Sequence, residues 1–96
     1  MTTPERPPAA AFEVRFTAAA RRSLNSIPPR VLSAVVEFTF GDLAREPHRV
    51  GKLLSGDLAG LFSSRRGDYR VIYRIEDTAR VFFIARVDHR ADVYRP

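Results

Sequence analysis

The chain contains no cysteine and a single lysine, Lys52, among its 96 residues. Without a thiol it cannot form disulfides, thiolate zinc sites or a cysteine nucleophile, and this absence fits a reducing cytoplasm. The longest strongly apolar run, from Val81 to Ala85, is too short to cross a bilayer. The first residues show neither the basic nor the apolar region of a signal peptide. We therefore expect a cytoplasmic protein that does not enter a membrane.

Positive charge is concentrated in the second half of the chain. The formal net charge is +5, and residues 49–96 hold ten Lys/Arg against six Asp/Glu, whereas residues 1–48 hold six against five. Such an excess favours encounter with polyanions, and counterion release adds affinity for nucleic acid of any sequence. Arginine also binds phosphate through its planar fork. A GC-rich genome would equally account for the preference for arginine over lysine.

The chain is expected to form one domain preceded by a tail. Residues 1–11 combine Pro4, Pro7 and Pro8 with three alanines, a composition typical of a flexible segment. Residues 12–96 contain no repeat, low-complexity stretch or linker. We therefore expect a single domain over residues 12–96.

The first half of that domain predicts a strand and two helices. Charged and apolar residues alternate over 12–16, as in a half-buried strand. Thr17 can cap a helix that stops near Ile27, because two prolines follow. A second helix starts at Pro29. Its apolar stripe comprises Leu32, Val35, Val36, Thr39, Phe40 and Leu43, widened by Val31, Ala34 and Phe38. The widened side is a broad core face or, alternatively, a partner-binding ridge.

The second half predicts a loop followed by three strands. Residues 47–60 carry three glycines and are expected to be a loop. Residues 61–66 and 69–75 predict a hairpin around a two-residue Gly-Asp turn, in which glycine takes the positive-φ first position. A third strand is expected over residues 80–87. The order β-α-α-β-β-β predicts an α+β fold, an antiparallel sheet with both helices packed on one face.

The predicted hairpin places two arginines directly opposite each other. With a two-residue turn, Arg66 pairs with Tyr69, and Arg65 pairs with Arg70. Like charges in such a pair repel by roughly a few tenths of a kcal/mol or more. A sheet selected for stability alone would avoid the pair, whereas an anion-binding face would use it. With Arg74 on the same side the sheet has a cationic face; the alternative is a solvated face whose arginines serve solubility.

The end of the chain combines side chains suited to RNA cleavage. Metal-free scission needs a base for the 2′-hydroxyl, cations for the transition state and an acid for the departing oxygen. His89 can transfer protons near neutral pH, Arg90 can stabilise charge, and Tyr94 can donate a hydrogen bond or stack on a base. Asp88, His89 and Asp92 make a poor metal site, because adjacent strand residues point to opposite faces. We expect neither a metal nor a cofactor.

Two segments resemble the RelE/ParE superfamily of toxins from type II toxin–antitoxin systems. They are residues 52–73, KLLSGDLAGLFSSRRGDYRVIY, and residues 89–94, HRADVY. The resemblance covers residues 12–96 and favours the RelE family. RelE toxins enter the ribosomal A site and cleave mRNA there by attack of a ribose 2′-hydroxyl, without metal. A RelB-like antitoxin, usually encoded alongside, inhibits them. The resemblance thus implies an endoribonuclease that forms a toxin–antitoxin hetero-oligomer.

The resemblance also implies roles for individual residues. Arg70 matches the arginine that stabilises the transition state, Arg90 matches an arginine upstream of the terminal tyrosine, and Tyr94 matches that tyrosine. Arg65 matches a further arginine before the hairpin turn. The expected RNA-binding residues are Lys52, Arg65, Arg66 and Arg74.

One departure from the RelE pattern concerns the general base. RelE toxins carry two lysines on the strand before the turn, one of them linked to general-base work, and the matching positions here are Leu61 and Ser63. Arginine cannot replace that base because it stays protonated. His89 is therefore the first candidate for accepting the proton, Lys52 is the second, and groups of the ribosomal RNA are a further alternative that would supplement them.

Two other functions are compatible with the same resemblance. ParE toxins share the fold but inhibit DNA gyrase by binding it. The combination of Arg70, Arg90 and Tyr94 favours the RelE branch over ParE. A non-catalytic module that binds RNA, or only an antitoxin, is the remaining alternative.

Overall fold

The computed structural model describes residues 11–89, which form the expected α+β fold. The strands are β1 Glu13–Phe16, β2 Lys52–Leu53, β3 Phe62–Arg66, β4 Tyr69–Glu76 and β5 Val81–His89. The helices are α1 Ala18–Leu24, α2 Pro29–Phe38 and α3 Pro47–Val50; a π-helical segment, Thr39–Leu43, continues α2, and Gly56–Leu58 form a 3₁₀ turn. All but one residue of the predicted tail, together with Arg90 and Tyr94, lie outside the described residues.

The five strands form one sheet in the order β1-β5-β4-β3-β2. Strands β2 to β5 are antiparallel, as expected, but β1 runs parallel to β5, with Glu13 opposite Val81. Tight turns set the direction of β3, β4 and β5, because connections of two residues (67–68) and four residues (77–80) are long enough only for antiparallel neighbours. No such turn joins β1 to another strand, so its direction depends on the path through α1 and α2.

The hairpin between β3 and β4 has the predicted register. Arg66 lies opposite Tyr69, and Arg65 lies opposite Arg70. Gly67 has a φ of 58°. Among the two turn residues only this first one has a positive φ, as in a type II′ turn, which matches the twist of the flanking strands.

Thr17 caps α1 as predicted, but the helix ends earlier than the prolines alone indicate. The Thr17 hydroxyl accepts a hydrogen bond from the Ala20 N–H at 3.0 Å. The α-helix stops at Leu24 rather than near Ile27, and the Ile27 N–H donates to the Leu24 carbonyl three residues back. In the last turn the Ser23 hydroxyl donates to the Ala20 carbonyl at 2.8 Å. Such serine contacts compete with the helical ladder and favour an early end.

The expected loop over residues 47–60 is wrong in part, because the segment contains α3, β2 and the 3₁₀ turn. Tyr73 on β4 organises the start of this segment: the buried Tyr73 hydroxyl donates to the Pro47 carbonyl at 2.6 Å. Gly51 packs directly on the same hydroxyl, where a Cβ would clash. Burial raises the pKa of the Tyr73 phenol well above its ordinary value. These contacts come from residues distant in sequence, so the local glycine content did not reveal them.

The core lies between the helices and one face of the sheet. Its fully buried side chains include Val35, Leu43, Val71, Tyr73, Phe82 and Ile84. Along α2, Phe38 is buried against Tyr69, whereas Val36 and Phe40 of the predicted stripe are 40% and 56% exposed. A wide apolar stripe on a helix has two sides, and the sequence does not indicate which side will pack on the sheet. In this structure the side with Phe38 packs on the sheet, and the side with Val36 and Phe40 is exposed.

Candidate functional site

The sheet face that the helices leave uncovered carries most of the predicted cationic residues. Directly opposite residues in paired strands point to the same side, so the strand register identifies the members of this surface. We call it the open face; it includes Lys52, Ser63, Arg65, Arg70, Ile72, Arg74, Glu76, Phe83, Arg86 and Asp88. Val71 and Tyr73, which alternate with these residues on β4, are buried under the helices.

The centre of the open face is the pair formed by Arg65 and Arg70. Arg65 is exposed and Arg70 is half-buried. Within residues 11–89, neither guanidinium has a carboxylate within 4.0 Å. Two opposed cations that make no direct ion pair repel each other, and an anion placed between them would relieve that repulsion. This arrangement can bind a phosphate group.

Two further predicted cations lie toward the margins of the open face. The Arg74 guanidinium lies over the Phe83 ring at 4.6 Å and donates to Glu76 at 3.0 Å. Lys52 is exposed at the outer edge of the sheet, opposite Ser63. It lies two strands from β4, which is roughly 10 Å across the sheet. Both side chains share the surface of Arg70, within reach of a bound polyanion.

Arg66 lies on the other side of the sheet from Arg65 and Arg70. It is opposite Tyr69, and its guanidinium lies 5.1 Å from the centre of the Phe38 ring. Burial raises the pKa of the neighbouring Tyr69 phenol, and the positive charge of Arg66 opposes that rise only in part. The structure therefore does not bring Arg66 to the open face, where the other predicted RNA-binding residues lie.

A β-bulge at Ala85 decides which residues of β5 reach the open face. Ile72 is opposite Arg86, while the next residue, Tyr73, is opposite Ile84, so Ala85 is the extra residue. The inserted residue reverses the alternation beyond it. Arg86 and Asp88 consequently point to the open face. Val87 and His89, which alternate with them, point to the helices.

His89 lies on the helix side as a result of this bulge. It is opposite Tyr69, whereas Asp88 is opposite Arg70. The His89 Nε2 atom is buried and has no hydrogen-bond partner among the described residues. His89 lines a cavity of about 270 Å³ beside the end of α1, whose lining also includes Ser23, Ser26, Arg86 and Asp88. His89 and Arg70 therefore lie on opposite faces of the sheet.

Arg86 and Asp88 form an ion pair that the sequence analysis did not place in the site. The Arg86 Nε donates to Asp88 Oδ1 at 2.8 Å, and Nη2 donates to Oδ2 at 3.1 Å. The hydrogen bonds and the charge of Asp88 raise the pKa of Arg86. Arg86 and Asp88 are two residues apart in a strand, and this spacing alone predicts that they share a face. Which of the two faces they share depends on the bulge, which the sequence does not reveal.

The open face contains a half-enclosed cleft of about 280 Å³. Its apolar walls are Leu58, Leu61, Ile72 and Ala85, and its polar edge is formed by Arg70, Arg86 and Asp88. The two positions where RelE toxins carry lysines lie at this surface, since Leu61 lines the cleft and Ser63 is on the open face. An apolar cleft bordered by arginines suits a nucleotide, which has an apolar base and a charged phosphate.

The described residues offer neither a cluster of metal ligands nor a helix that could span a membrane. Residues 11–89 contain no group of three or more His, Cys, Asp or Glu side chains arranged to hold a metal ion. Asp88 and His89 diverge to opposite faces, and Asp92 lies outside this range. Over the same range, no helix has the length and apolar character needed to traverse a bilayer.

Comparison with known proteins relates this chain to a family of toxins. The family model described as "ParE toxin of type II toxin-antitoxin system, parDE" matches residues 14–94. The chain is 63% identical to Toxin RelG of Mycobacterium tuberculosis over 84 residues, 88% of this chain and 97% of that toxin. It is 46% identical to Toxin RelE of the same organism, over 88% of this chain and 87% of that protein.

A solved structure shows the same fold at high identity. It is the RelBE2 toxin–antitoxin complex from Mycobacterium tuberculosis, in which one chain matches with a TM-score of 0.84 and 60% identity. The match covers 88% of this chain and 98% of the other. The family model is described by the ParE name, whereas both curated relatives carry Rel names. Because family models include divergent members, identities of 63% and 46% are the better guide to the branch.

Proposed function

This chain belongs to the RelE/ParE superfamily of toxins from type II toxin–antitoxin systems, and we propose that it is a ribosome-dependent mRNA endonuclease. The observation that carries the proposal is the Arg65–Arg70 pair on the open face. The reaction is attack of a ribose 2′-hydroxyl on the neighbouring phosphodiester, without a metal ion or cofactor. The protein acts in the cytoplasm, where the ribosome presents mRNA in the A site.

The charge of the transition state explains why the arginine pair suits this reaction. Attack of the 2′-oxygen gathers negative charge on the phosphorus-bound oxygens. Fixed cations placed where that charge develops stabilise the transition state more than the ground state. Arg70 takes this role because it is half-buried and borders the cleft. Arg65, Lys52 and Arg74 contact the RNA backbone on either side.

The residues beyond the described range keep the roles that the family resemblance implies. Arg90 is a second arginine at the scissile phosphate, and Tyr94 positions the RNA or donates a proton. These two residues and the described ones belong to a single toxin domain over residues 12–96. Arg66 contributes to RNA binding only if the RNA passes around the hairpin, because its side chain is on the helix side.

The acceptor of the 2′-hydroxyl proton is one of two residues. Lys52 is on the open face with Arg70, and a lysine is the residue type that RelE toxins use. His89 has the more suitable chemistry near neutral pH, but it is on the other face and its Nε2 is buried. In single-turnover cleavage, loss of the acceptor should lower the rate and change its pH profile. An unchanged profile for His89→Gln, with a changed one for Lys52→Gln, would assign the proton to Lys52.

A RelB-like antitoxin is the proposed partner that holds the toxin inactive. The matching solved structure is a toxin–antitoxin complex, and one of its chains is 60% identical to this chain. The positive charge of the toxin, +5 overall, favours an acidic partner segment. The resting form is then a toxin–antitoxin hetero-oligomer.

Primer extension on a translated mRNA tests the proposed reaction. Inducing the full chain alone should stop growth and produce new 5′ ends in the mRNA. These ends should disappear when translation initiation is blocked, and co-expression of the neighbouring antitoxin should restore growth. New ends that persist without translation would contradict dependence on the ribosome.

Gyrase inhibition is the alternative, and the ParE description of the matching family model favours it. The two functions give different results in the same induced cells. Intact mRNA together with a loss of gyrase supercoiling would replace the endonuclease proposal with the ParE function.

A further inference from the structure

The Arg86–Asp88 pair differs from the other ion pairs on its side of the sheet. Its two hydrogen bonds, at 2.8 and 3.1 Å, make it bidentate. The Arg74–Glu76 pair has a single hydrogen bond, at 3.0 Å, and its side chains are about equally exposed, at 49% and 48%. In the Arg86–Asp88 pair, by contrast, the Asp88 side chain is only 17% exposed while Arg86 is 59% exposed. The carboxylate is therefore the covered partner, and the guanidinium is the one presented to solvent.

The position of Asp88 is unusual for a surface that binds an anion. Its carboxylate lies on the open face directly opposite Arg70. A carboxylate at this place has two possible roles with opposite consequences. As a plain counterion it would neutralise the arginines and weaken RNA binding. As a holder of Arg86 it would strengthen binding, provided that the ordering of Arg86 outweighs the added negative charge.

The geometry favours the second role. The pair uses Nε and Nη2 of Arg86, so the two N–H groups of Nη1 remain available for a ligand. A free arginine side chain loses rotamer freedom when it binds phosphate, but a side chain that is already held loses less. Arg86 also lines the apolar cleft together with Arg70, so both side chains border the same binding surface.

We propose that Asp88 is a positioning residue that holds Arg86 beside the cleft, and that Arg86 contacts an RNA phosphate next to the one bound by Arg70. The inference rests on the proposed function, because it assumes that RNA lies on the open face. Arg86 is opposite Ile72, which makes it a diagonal neighbour of Arg70 across two paired strands. Diagonal neighbours have Cα atoms roughly 7–8 Å apart. Two arginines at that separation can bind successive phosphates while the base between them enters the cleft.

Equilibrium binding of the full chain to a labelled single-stranded 2′-O-methyl oligoribonucleotide tests the inference. This probe keeps the phosphates but lacks the attacking hydroxyl, so it cannot be cut. We expect Arg86→Ala to weaken binding about tenfold. The slope of log K against log salt should fall by about 0.7, the value for one phosphate contact on a single strand.

Asp88→Asn distinguishes the holder from the counterion. It removes a negative charge, so a counterion role predicts tighter binding and would overturn the inference. The holder role predicts binding weakened several-fold, and it predicts that the double variant Arg86→Ala, Asp88→Asn binds no more weakly than Arg86→Ala alone. Asp88→Glu keeps the carboxylate and should retain most of the affinity. If Asp88→Asn does not fold, Arg86→Ala and Asp88→Glu decide the question.

A matched control exists on the helix side, where Arg45 and Asp42 also form an exposed Arg–Asp pair, at 3.4 Å. Arg45→Ala and Asp42→Asn change the same residue types and should alter RNA binding less than twofold.

Arg70→Ala distinguishes a failure of the proposed role of Arg86 from a failure of the proposed function. If it weakens binding while Arg86→Ala does not, only the role of Arg86 is overturned. If neither variant weakens binding, the open face is not the RNA surface and the proposed function is contradicted too.

Discussion

The two faces of strand β4 are built from alternating residues of the same segment, yet they serve different purposes. Val71 and Tyr73 are fully buried under the helices, whereas Arg70 and Arg74 lie on the open face with Ile72 between them. On the helix side, burial of apolar surface stabilises the fold. On the open face, the opposed Arg65 and Arg70 repel each other and reduce stability. Along β4, every second residue thus contributes to stability, and the residues between them are available for ligand binding. A substitution at one of these positions should therefore change mainly one of the two properties.

The largest expected effect on stability comes from the buried face of β5. Phe82→Ala should lower the free energy of unfolding by about 3–5 kcal/mol, because Phe82 is fully buried and its removal leaves a cavity. Urea unfolding followed by circular dichroism measures this change. Phe83→Ala is the matched control, since Phe83 is half-buried on the opposite side, opposite Arg74. Equal losses for the two variants would contradict the separation of faces.

The largest expected effect on activity comes from the open face. Arg70→Ala should reduce single-turnover cleavage on programmed ribosomes about 10²–10³-fold, the cost of removing one group that stabilises developing negative charge. Its unfolding free energy should change by less than about 0.5 kcal/mol. Arg22→Ala, an exposed arginine on α1, serves as the control and should cleave at the normal rate. Normal cleavage by Arg70→Ala would remove this residue from the mechanism.

A smaller effect is expected from the hydroxyl that organises residues 47–51. Tyr73→Phe removes the hydrogen bond to the Pro47 carbonyl and leaves that buried acceptor unpaired, which should cost about 1–3 kcal/mol. Tyr69→Phe is the comparison, because its hydroxyl donates to the Ala34 carbonyl at a longer 3.2 Å and should cost less. A thermal melt of each variant gives the difference. A larger loss for Tyr69→Phe would reverse the expected order.

We expect the raised pKa values of Tyr69 and Tyr73 to make the protein less stable at alkaline pH. Burial raises the pKa of both phenols above the ordinary value of 10.0. Above that value the unfolded chain releases protons that the folded chain keeps, so the unfolding free energy falls as pH rises. Below pH 10 both phenols stay protonated in the folded and the unfolded chain, so their contribution to the unfolding free energy is fully present. Tyr73→Phe should flatten the dependence between pH 10 and the folded-state pKa, and an unchanged slope in urea titrations would contradict this origin.

The smallest expected change in unfolding free energy comes from removing the repulsion between the opposed arginines Arg65 and Arg70. Arg65→Gln should raise the unfolding free energy by roughly a few tenths of a kcal/mol at low salt, because it removes one of two like charges in a directly opposed pair. The gain should disappear at about 1 M salt, where such charges are screened. The same variant should bind RNA more weakly. A gain in both stability and RNA affinity would indicate that the pair has no role in anion binding.

Features set by neighbouring residues could be predicted from the sequence. The Gly-Asp turn determines the register of β3 and β4, so the Arg65–Arg70 pair and the two faces of β4 were predicted correctly. The Thr17 cap also needed only local hydrogen bonds. The family resemblance was confirmed by relatives at 63% and 46% identity. The roles of individual residues in cleavage stay predictions.

Features set by distant contacts could not be predicted in the same way. The continuous apolar run in β5 contains no alternation that would locate the Ala85 bulge, and the bulge puts His89 on the helix side and Arg86 on the open face. The helix at 47–50 depends on a hydroxyl from Tyr73, 26 residues away along the chain. The parallel pairing of β1 depends on the path through two helices.

The sequence by itself determined the α+β composition, the central hairpin and the presence of a cationic sheet face, because turns and strand alternation act over a few residues. The tertiary structure decided which of the functional residue types share that face. A single inserted residue in a strand reverses the direction of every later side chain, and its position is selected by packing between β4 and β5 rather than by any local signal. That choice placed Arg86 and Asp88 beside Arg70 and turned His89 away from it.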